Sequence, residues 1–303
     1  MLWLNLRAVL NLRRPKTYSS WQNPLKVVVL RQRSRMLPLA CPPMVHTVPD
    51  ILARIVERKQ ARLAELHARR EELQSRAEAR GPARNFRAAL TDRKPAIIAE
   101  VKQASPSKGT LVSDFHPASI ARLYALGGAA ALSVLTDEEF FRGSLGDLEA
   151  ARAAVPVPIL RKDFTIDEIH VVEAAAHGAD AILLIAAILD EGQMRRFREL
   201  ASRYGMASLV EVHNAQELEP ALASGAEIVG VNNRDLHTFE VSLDTSEELA
   251  PKIPGGIVKV AESGVNSRED VQRLRAAGYQ AFLVGEHLMK SADPAQALRE
   301  LRS

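Results

Sequence analysis

Ile98-Ala-Glu-Val-Lys-Gln-Ala-Ser-Pro-Ser-Lys-Gly109 runs an apolar strand straight into two opposite charges. Ile97, Ile98 and Val101 read as a buried strand, and Glu100 and Lys102, two residues apart, fall on the same side of it. Burying such charges is costly unless they pair or meet a polar ligand. The Ser-Pro-Ser-Lys-Gly loop that follows can offer hydroxyls and backbone amides to an anion. The plainer alternative is a strand whose last residues have reached solvent.

Downstream, short apolar runs alternate with amphipathic stretches. The runs begin near Ala96, Ala130, Val157, Asp180, Ala207, Glu227, Ile257 and Gln280, at intervals of 20 to 34 residues. Eight such runs are what a (β/α)8 barrel requires, and the length suits one. Helical segments are expected at Pro117–Leu126, Ile166–His177, Glu191–Tyr204, Ala215–Ser224 and Arg268–Ala277. Gly127, Gly178, Gly225 and Gly278 stand before the next strand as helix-ending glycines. A doubly wound open sheet would give similar alternation. Before the first strand, Ile51, Leu52, Ile55, Val56, Leu63 and Leu66 recur near helical spacing, which predicts one long helix over about 49–80, ended by Gly81-Pro82.

The net charge of +3 is unevenly placed. Residues 1–43 hold eight Lys or Arg and no Asp or Glu, leaving 32 basic and 37 acidic residues for the body. This basic extension fits a transit peptide, an interaction tail, or upstream sequence ahead of a start at Met36 or Met44. Residues 44–303 are expected to form a single barrel that includes the N-terminal helix. A single cysteine, Cys41, excludes an intramolecular disulfide and a cysteine-based metal cluster. The longest wholly apolar run, Ala181–Leu189, is nine residues, too short for a membrane span. The expected location is cytoplasmic, or organellar if residues 1–43 are a transit peptide.

In a barrel, chemistry collects at the C-terminal ends of the strands. There the runs close on Glu100 and Lys102; on Arg161, Lys162 and Asp163; on Glu211; on Asn232, Asn233 and Arg234; on Glu262, Ser263 and Gly264; and on Gly285 and Glu286. Each has a structural alternative: Arg161 with Asp163 as a strand-end ion pair, Glu211 as a lysine's partner, Asn232 or Asn233 as a turn residue. Recurrence at six of eight ends points to one site. Ser263-Gly264 and Gly285, closing the seventh and eighth strands, occupy the usual phosphate position of such barrels. The eight histidines show no metal-ligand spacing. His213 and His237 read as solvated loop residues. There is no Gly-x-Gly-x-x-Gly fingerprint and no Walker loop, which leaves acid/base chemistry without a cofactor.

These residues resemble the indole-3-glycerol-phosphate synthase family of tryptophan biosynthesis. The matching pieces are the opening stretch, Leu132-Ser-Val-Leu-Thr-Asp-Glu138, Phe141-Arg-Gly-Ser144, Leu160-Arg-Lys-Asp-Phe164, Leu209-Val-Glu-Val212, Val231-Asn-Asn-Arg-Asp-Leu236 and Ala261-Glu-Ser-Gly264, in the family's order over roughly residues 46–303.

The resemblance implies a ribulose-phosphate-binding (β/α)8 TIM barrel with an extra N-terminal helix near the active-site mouth. It implies closure of the pyrrole ring of 1-(2-carboxyphenylamino)-1-deoxyribulose 5-phosphate with loss of carbon dioxide and water. By resemblance, Lys162 is the general acid for ring closure and Glu211 the acid/base residue of dehydration. Lys102 holds the anthranilate carboxylate, oriented by Glu100, and the two lysines can exchange roles at this level. Asn232 orients catalytic groups and substrate hydroxyls, and Arg234 braces Glu100 or Glu211. Ser105, Glu262, Ser263, Gly264, Gly285 and Glu286 line the substrate and phosphate region, with the Glu286 carboxylate turned away. Pro106, Phe141, Phe164, Leu183 and Ile185 form the apolar slot for the ring. Arg142 stands where the family commonly has small or amide residues. The implied partners are a phosphorylated small molecule and other tryptophan-pathway enzymes, with no cofactor, nucleic acid or membrane. Two other readings are phosphoribosylanthranilate isomerase, whose Cys/Asp pair this barrel lacks, and a phosphate-binding barrel without turnover.

Overall fold

The computed structural model describes residues 50–106 and 108–303. The basic extension, both tryptophans and Cys41 lie outside the described residues. Eight parallel strands close on themselves: β1 (Ala96–Val101), β2 (Ala131–Leu135), β3 (Ile159–Lys162), β4 (Ala181–Ile185), β5 (Ala207–Val212), β6 (Ile228–Asn232), β7 (Val258–Glu262) and β8 (Ala281–Val284). Closure is made by β1 pairing with both β8 and β2, as in Ile98 opposite Leu283 and Glu100 opposite Ser133. This is the barrel; the open-sheet alternative falls. All eight strands begin within two residues of the positions read from the sequence.

The helices are α1 (Asp50–Ala68), α2 (Arg70–Ala79), α3 (Phe86–Asp92), α4 (Pro117–Gly127), α5 (Glu138–Phe141), α6 (Leu145–Ala154), α7 (Glu168–Ala176), α8 (Glu191–Arg203), α9 (Ala215–Ala223), α10 (Asp244–Leu249), α11 (Arg268–Ala276), α12 (Glu286–Met289) and α13 (Pro294–Arg302). Most start on a side-chain cap. Asp190 and Ser267 form capping boxes, and Asn85, Ser144, Asp167, Asn214 and Asp293 accept from backbone N–H groups of the first turn.

Alternation along the strands sorts the barrel into two cores. Ile98, Leu160, Leu183, Leu209, Val260 and Leu283 face inward, whereas Ile97, Val134, Leu184, Val210, Val231 and Phe282 pack outward against the helices. The inward set ends, going up the strands, in Glu100, Lys162, Glu211, Asn232 and Glu262. Below, Phe86 and Leu90 of α3 join the inner core as the chain enters β1.

Two expectations are corrected. The N-terminal helix is two helices, broken at Arg69, whose N–H bonds Leu66 three residues back. The break serves two cores: Leu52 and Ile55 belong to the inner one, Leu73 and Ala77 to the outer one. Also, Gly127 is the last residue of α4, packed on Ala295. It is Gly128, at φ 88°, that takes the left-handed cap, because its N–H must reach back to Ala125.

Arg161 and Lys162 are neighbours on β3 and face opposite ways. Arg161 is buried between barrel and helices, where its guanidinium donates to Asp163 (3.0 Å), Glu173 of α7 (2.7 Å), Thr136 (3.1 Å) and the His170 carbonyl (3.0 Å). Lys59 of α1 reaches the other Asp163 oxygen at 2.6 Å and Asp137 at 3.2 Å. The strand-end ion-pair reading of Arg161 and Asp163 therefore holds. Burial opposes the Asp163 carboxylate, but Arg161 and Lys59 outweigh it and hold it well below the ordinary value.

Candidate active site

The C-terminal ends of the strands open into a cavity of about 490 Å³, within the usual range for small-ligand sites. It is lined by Glu100, Lys102, Lys162, Glu211, Asn232, Glu262 and Ser263, and by Ser105, Pro106, Phe141, Phe164, Leu183, Ile185, Arg234, Gly264, Gly285 and Glu286. Every residue to which the resemblance gives a catalytic, substrate or phosphate role thus reaches one cavity, whereas Arg161 and Asn233, at two of the same strand ends, do not line it.

One wall is apolar. Phe141, at the end of α5, and Phe164, just past β3, set their rings 6.1 Å apart and tilted by 36°. Leu183 and Ile185 of β4 and Ile51, Leu52 and Ile55 of α1 complete that side.

The charged groups come from β1, β3, β5, β6 and β7 around the same cavity. Lys102 donates to Glu100 across one strand repeat (2.5 Å). Lys162 lies between two carboxylates, 2.7 Å from Glu211 and 3.4 Å from Glu262. Asn232 donates to the second Glu211 oxygen (3.1 Å) and accepts from the Ser263 hydroxyl (2.8 Å). Glu100, Glu211 and Glu262 thus face Lys102 and Lys162, with all five side chains largely buried. Burial would lower the Lys162 ammonium, but Glu211, Glu262 and Glu100 overcome it and hold the proton firmly. The same geometry splits the carboxylates. Burial opposes Glu211, but Lys162 and His213 outweigh it and keep it ionised, while burial with Glu211 and Glu100 nearby pushes Glu262 up.

Two glycines make room for these groups. A methyl group at Gly230 of β6 would sit 2.0 Å from Glu262 Oε1, and one at Gly285 would sit 2.3 Å from Glu100 Oε1. Gly230 is paired with Glu211, and Gly285 follows Val284, the partner of Ala99, so both stand at the level of the charged groups. Between β7 and the next helix, Ser263 (φ 64°) and Gly264 (φ 81°) are both left-handed, which turns the chain sharply at the rim.

Arg234 departs from expectation. It lies two residues beyond β6, pairs with Val241 across the loop and donates to the Phe239 carbonyl (3.2 Å), so it braces its own loop and not Glu100 or Glu211. Glu286 turns to Lys290 one helical turn on (2.5 Å), with Lys108 at 3.8 Å, and the Lys290 bond lowers its carboxyl. Arg142, at φ 54°, caps α5 and reaches Thr110 (2.9 Å), linking two loops at the rim. His213 is not solvated. Only 10% of its side chain is exposed, and its ring lies between Glu211 and Glu217. His237 is exposed.

Sequence reasoning passed over Lys108 and Leu111 of the first loop, Leu236, Phe239 and Val241 of the sixth, and Asn266 and His287 at the rim. Leu236, Phe239 and Val241 carried a usable signal, being apolar residues in a stretch with no strand or helix period.

A family model described as indole-3-glycerol phosphate synthase matches residues 52–301. The chain is 52% identical over 258 residues to the indole-3-glycerol phosphate synthase of Chromobacterium violaceum, covering 83% of this chain and 97% of that one. It is 50% identical to that of Albidiferax ferrireducens (83% and 98%) and 48% identical to that of Acidithiobacillus ferrooxidans (83% and 98%). Among solved structures, a thiamine phosphate pyrophosphorylase from Pyrococcus furiosus shares the fold, with a TM-score of 0.54 at 18% identity over 72% of this chain and 96% of that one.

Proposed function

Because the chain belongs to the indole-3-glycerol phosphate synthase family, the decarboxylating lyases of tryptophan biosynthesis, we propose that its cavity closes the indole ring with the groups just described. The substrate is 1-(2-carboxyphenylamino)-1-deoxyribulose 5-phosphate, with its aryl ring against Phe141, Phe164, Pro106, Leu183 and Ile185. Its phosphate lies at the rim of β7 and β8, where Gly264 and Gly285 leave backbone uncovered and Lys108 and Arg234 supply positive charge.

The observation that carries this reading is Lys162 held as an ammonium between Glu211 and Glu262. Ring closure makes an alkoxide from the ketone, and Lys162 donates the proton that it needs. Lys102, oriented by Glu100, holds the aryl carboxylate until carbon dioxide leaves. Dehydration then needs a group to move a proton at the new ring, and Glu211, ionised and fixed by Asn232, does so. Burial of these groups in one wall strengthens every such interaction.

Mixing the protein with this substrate should produce indole fluorescence. A chain starting at Met44 lacks both tryptophans, so the product is read against a dark background. That chain should keep turnover, since none of residues 1–43 belongs to the proposed machinery. Its inactivity beside an active full chain would make the extension functional.

Gly230→Ala tests the packing of the carboxylates. The added methyl must displace the Glu262 carboxylate from beside Lys162. A misplacement on the order of 1 Å costs about 10²-fold in turnover. Steady-state kinetics, with thermal unfolding as control, should show kcat falling and KM little changed.

A further inference from the structure

Behind Glu211, off the cavity wall, the imidazole of His213 is held from both sides. Its Nδ1 is 2.9 Å from Glu217 Oε2 and its Nε2 is 3.4 Å from Glu211 Oε1. Glu217, in the first turn of α9, is itself fixed: the same Oε2 accepts from the His213 backbone N–H (2.9 Å), and Oε1 accepts from Asn214 Nδ2 (2.8 Å). The ring is therefore anchored at Nδ1, and its direction is set by the cap of α9. Its Nε2 is buried, makes no hydrogen bond among the described residues and lies 3.4 Å from Glu211 Oε1. A buried donor without a partner is costly, and Glu211 Oε1 is the acceptor beside it.

We propose that His213 is a positioning residue: anchored on Glu217, it presents Nε2 to the back of Glu211 and fixes that carboxylate for its acid/base step. The inference rests on the role given to Glu211 above. Signs alternate along the row Glu217, His213, Glu211, Lys162, so the imidazole and Glu211 are each flanked by opposite charge. Burial would discharge the imidazole, but the two carboxylates outweigh it and raise it to about 10. Glu211 is faced by Lys162 from β3, by Glu262 from β7 and by His213 beyond the end of its own strand, with neutral Asn232 from β6.

Gln and Asn separate the two ends of the ring, because Gln places an amide nitrogen near Nε2 and Asn places one near Nδ1. In the full chain, His213→Asn should lower kcat by about 10- to 100-fold with KM little changed, while His213→Gln stays within about threefold of wild type. The acid limb of the kcat profile should move to higher pH in His213→Asn, because Glu211 loses one of its two cationic neighbours. Equal kcat values for the two variants, or a loss confined to KM or to thermal stability, would overturn the inference. If wild type turns over and Glu211→Gln does not, while His213→Asn matches wild type, only the role of His213 fails. An inactive wild type would instead sink the functional reading and the inference with it.

Discussion

Lys162→Met should lower turnover by about 10²- to 10⁴-fold, the range for removing a positioned proton donor. The barrel should survive, because the stem of the new side chain fills the same inward slot on β3. What changes is the balance of charge. Glu211 and Glu262, now without the ammonium between them, face each other in a buried wall. They adapt by taking up protons. In wild type the carboxyl of Glu211 is depressed, so its contribution is present above the ordinary glutamate value of about 4.3 and is lost as pH falls through that range. Glu262 is already raised in wild type; in the variant Glu211 is raised too, and this pair binds more protons in the folded state than in the unfolded one. The contribution of this pair should then be greatest at low pH and be lost as pH rises toward neutrality. Urea titrations at several pH values read this reversal, and near-normal turnover would remove Lys162 from the mechanism.

Arg161→Leu, one residue earlier, should do the opposite: unfold the protein more easily and leave chemistry nearly untouched. Arg161 is buried with Asp163 and Glu173, and removing one partner of a buried ionic cluster costs about 3–5 kcal/mol. The loss should also weaken the link between α7 and the barrel, since the same guanidinium bonds Glu173 and the His170 carbonyl. Thermal unfolding should show a large drop, while kcat measured well below the new midpoint stays close to wild type. Loss of kcat without loss of stability would mean that Arg161 reaches the cavity by a path its geometry does not suggest.

The contrast between these two neighbours explains what was legible in the sequence. Barrel strands are buried on both faces, so their apolar runs stand out. Polar residues at inward positions near their ends are then conspicuous, as with Glu100, Lys162 and Glu211. Strand alternation also separates Lys162 from Arg161 and Asn232 from Asn233, which instead serves Ser246 and the Ser263 carbonyl. The rest depended on contacts between distant segments. Nothing near Arg69 in sequence marks a helix break; it follows from two cores at different places. The environment of His213 comes from Glu217 docking through the cap of α9, and Arg234 follows a loop whose path no period encodes. Lys59 lies on a charged helix face, where a solvated lysine is the ordinary expectation.

That Lys59 contact gives the mouth helix a mechanical meaning. Its ammonium is fastened to Asp163, the residue directly after Lys162, so the helix at the cavity mouth and the lysine proposed as proton donor meet at one short piece of chain. Without α1, Asp163 would keep Arg161 as its charged partner, and the apolar side formed by Ile51, Leu52 and Ile55 would be missing. Docking of α1 and the anchoring of the chain just past β3 are thereby tied together through one buried ion pair.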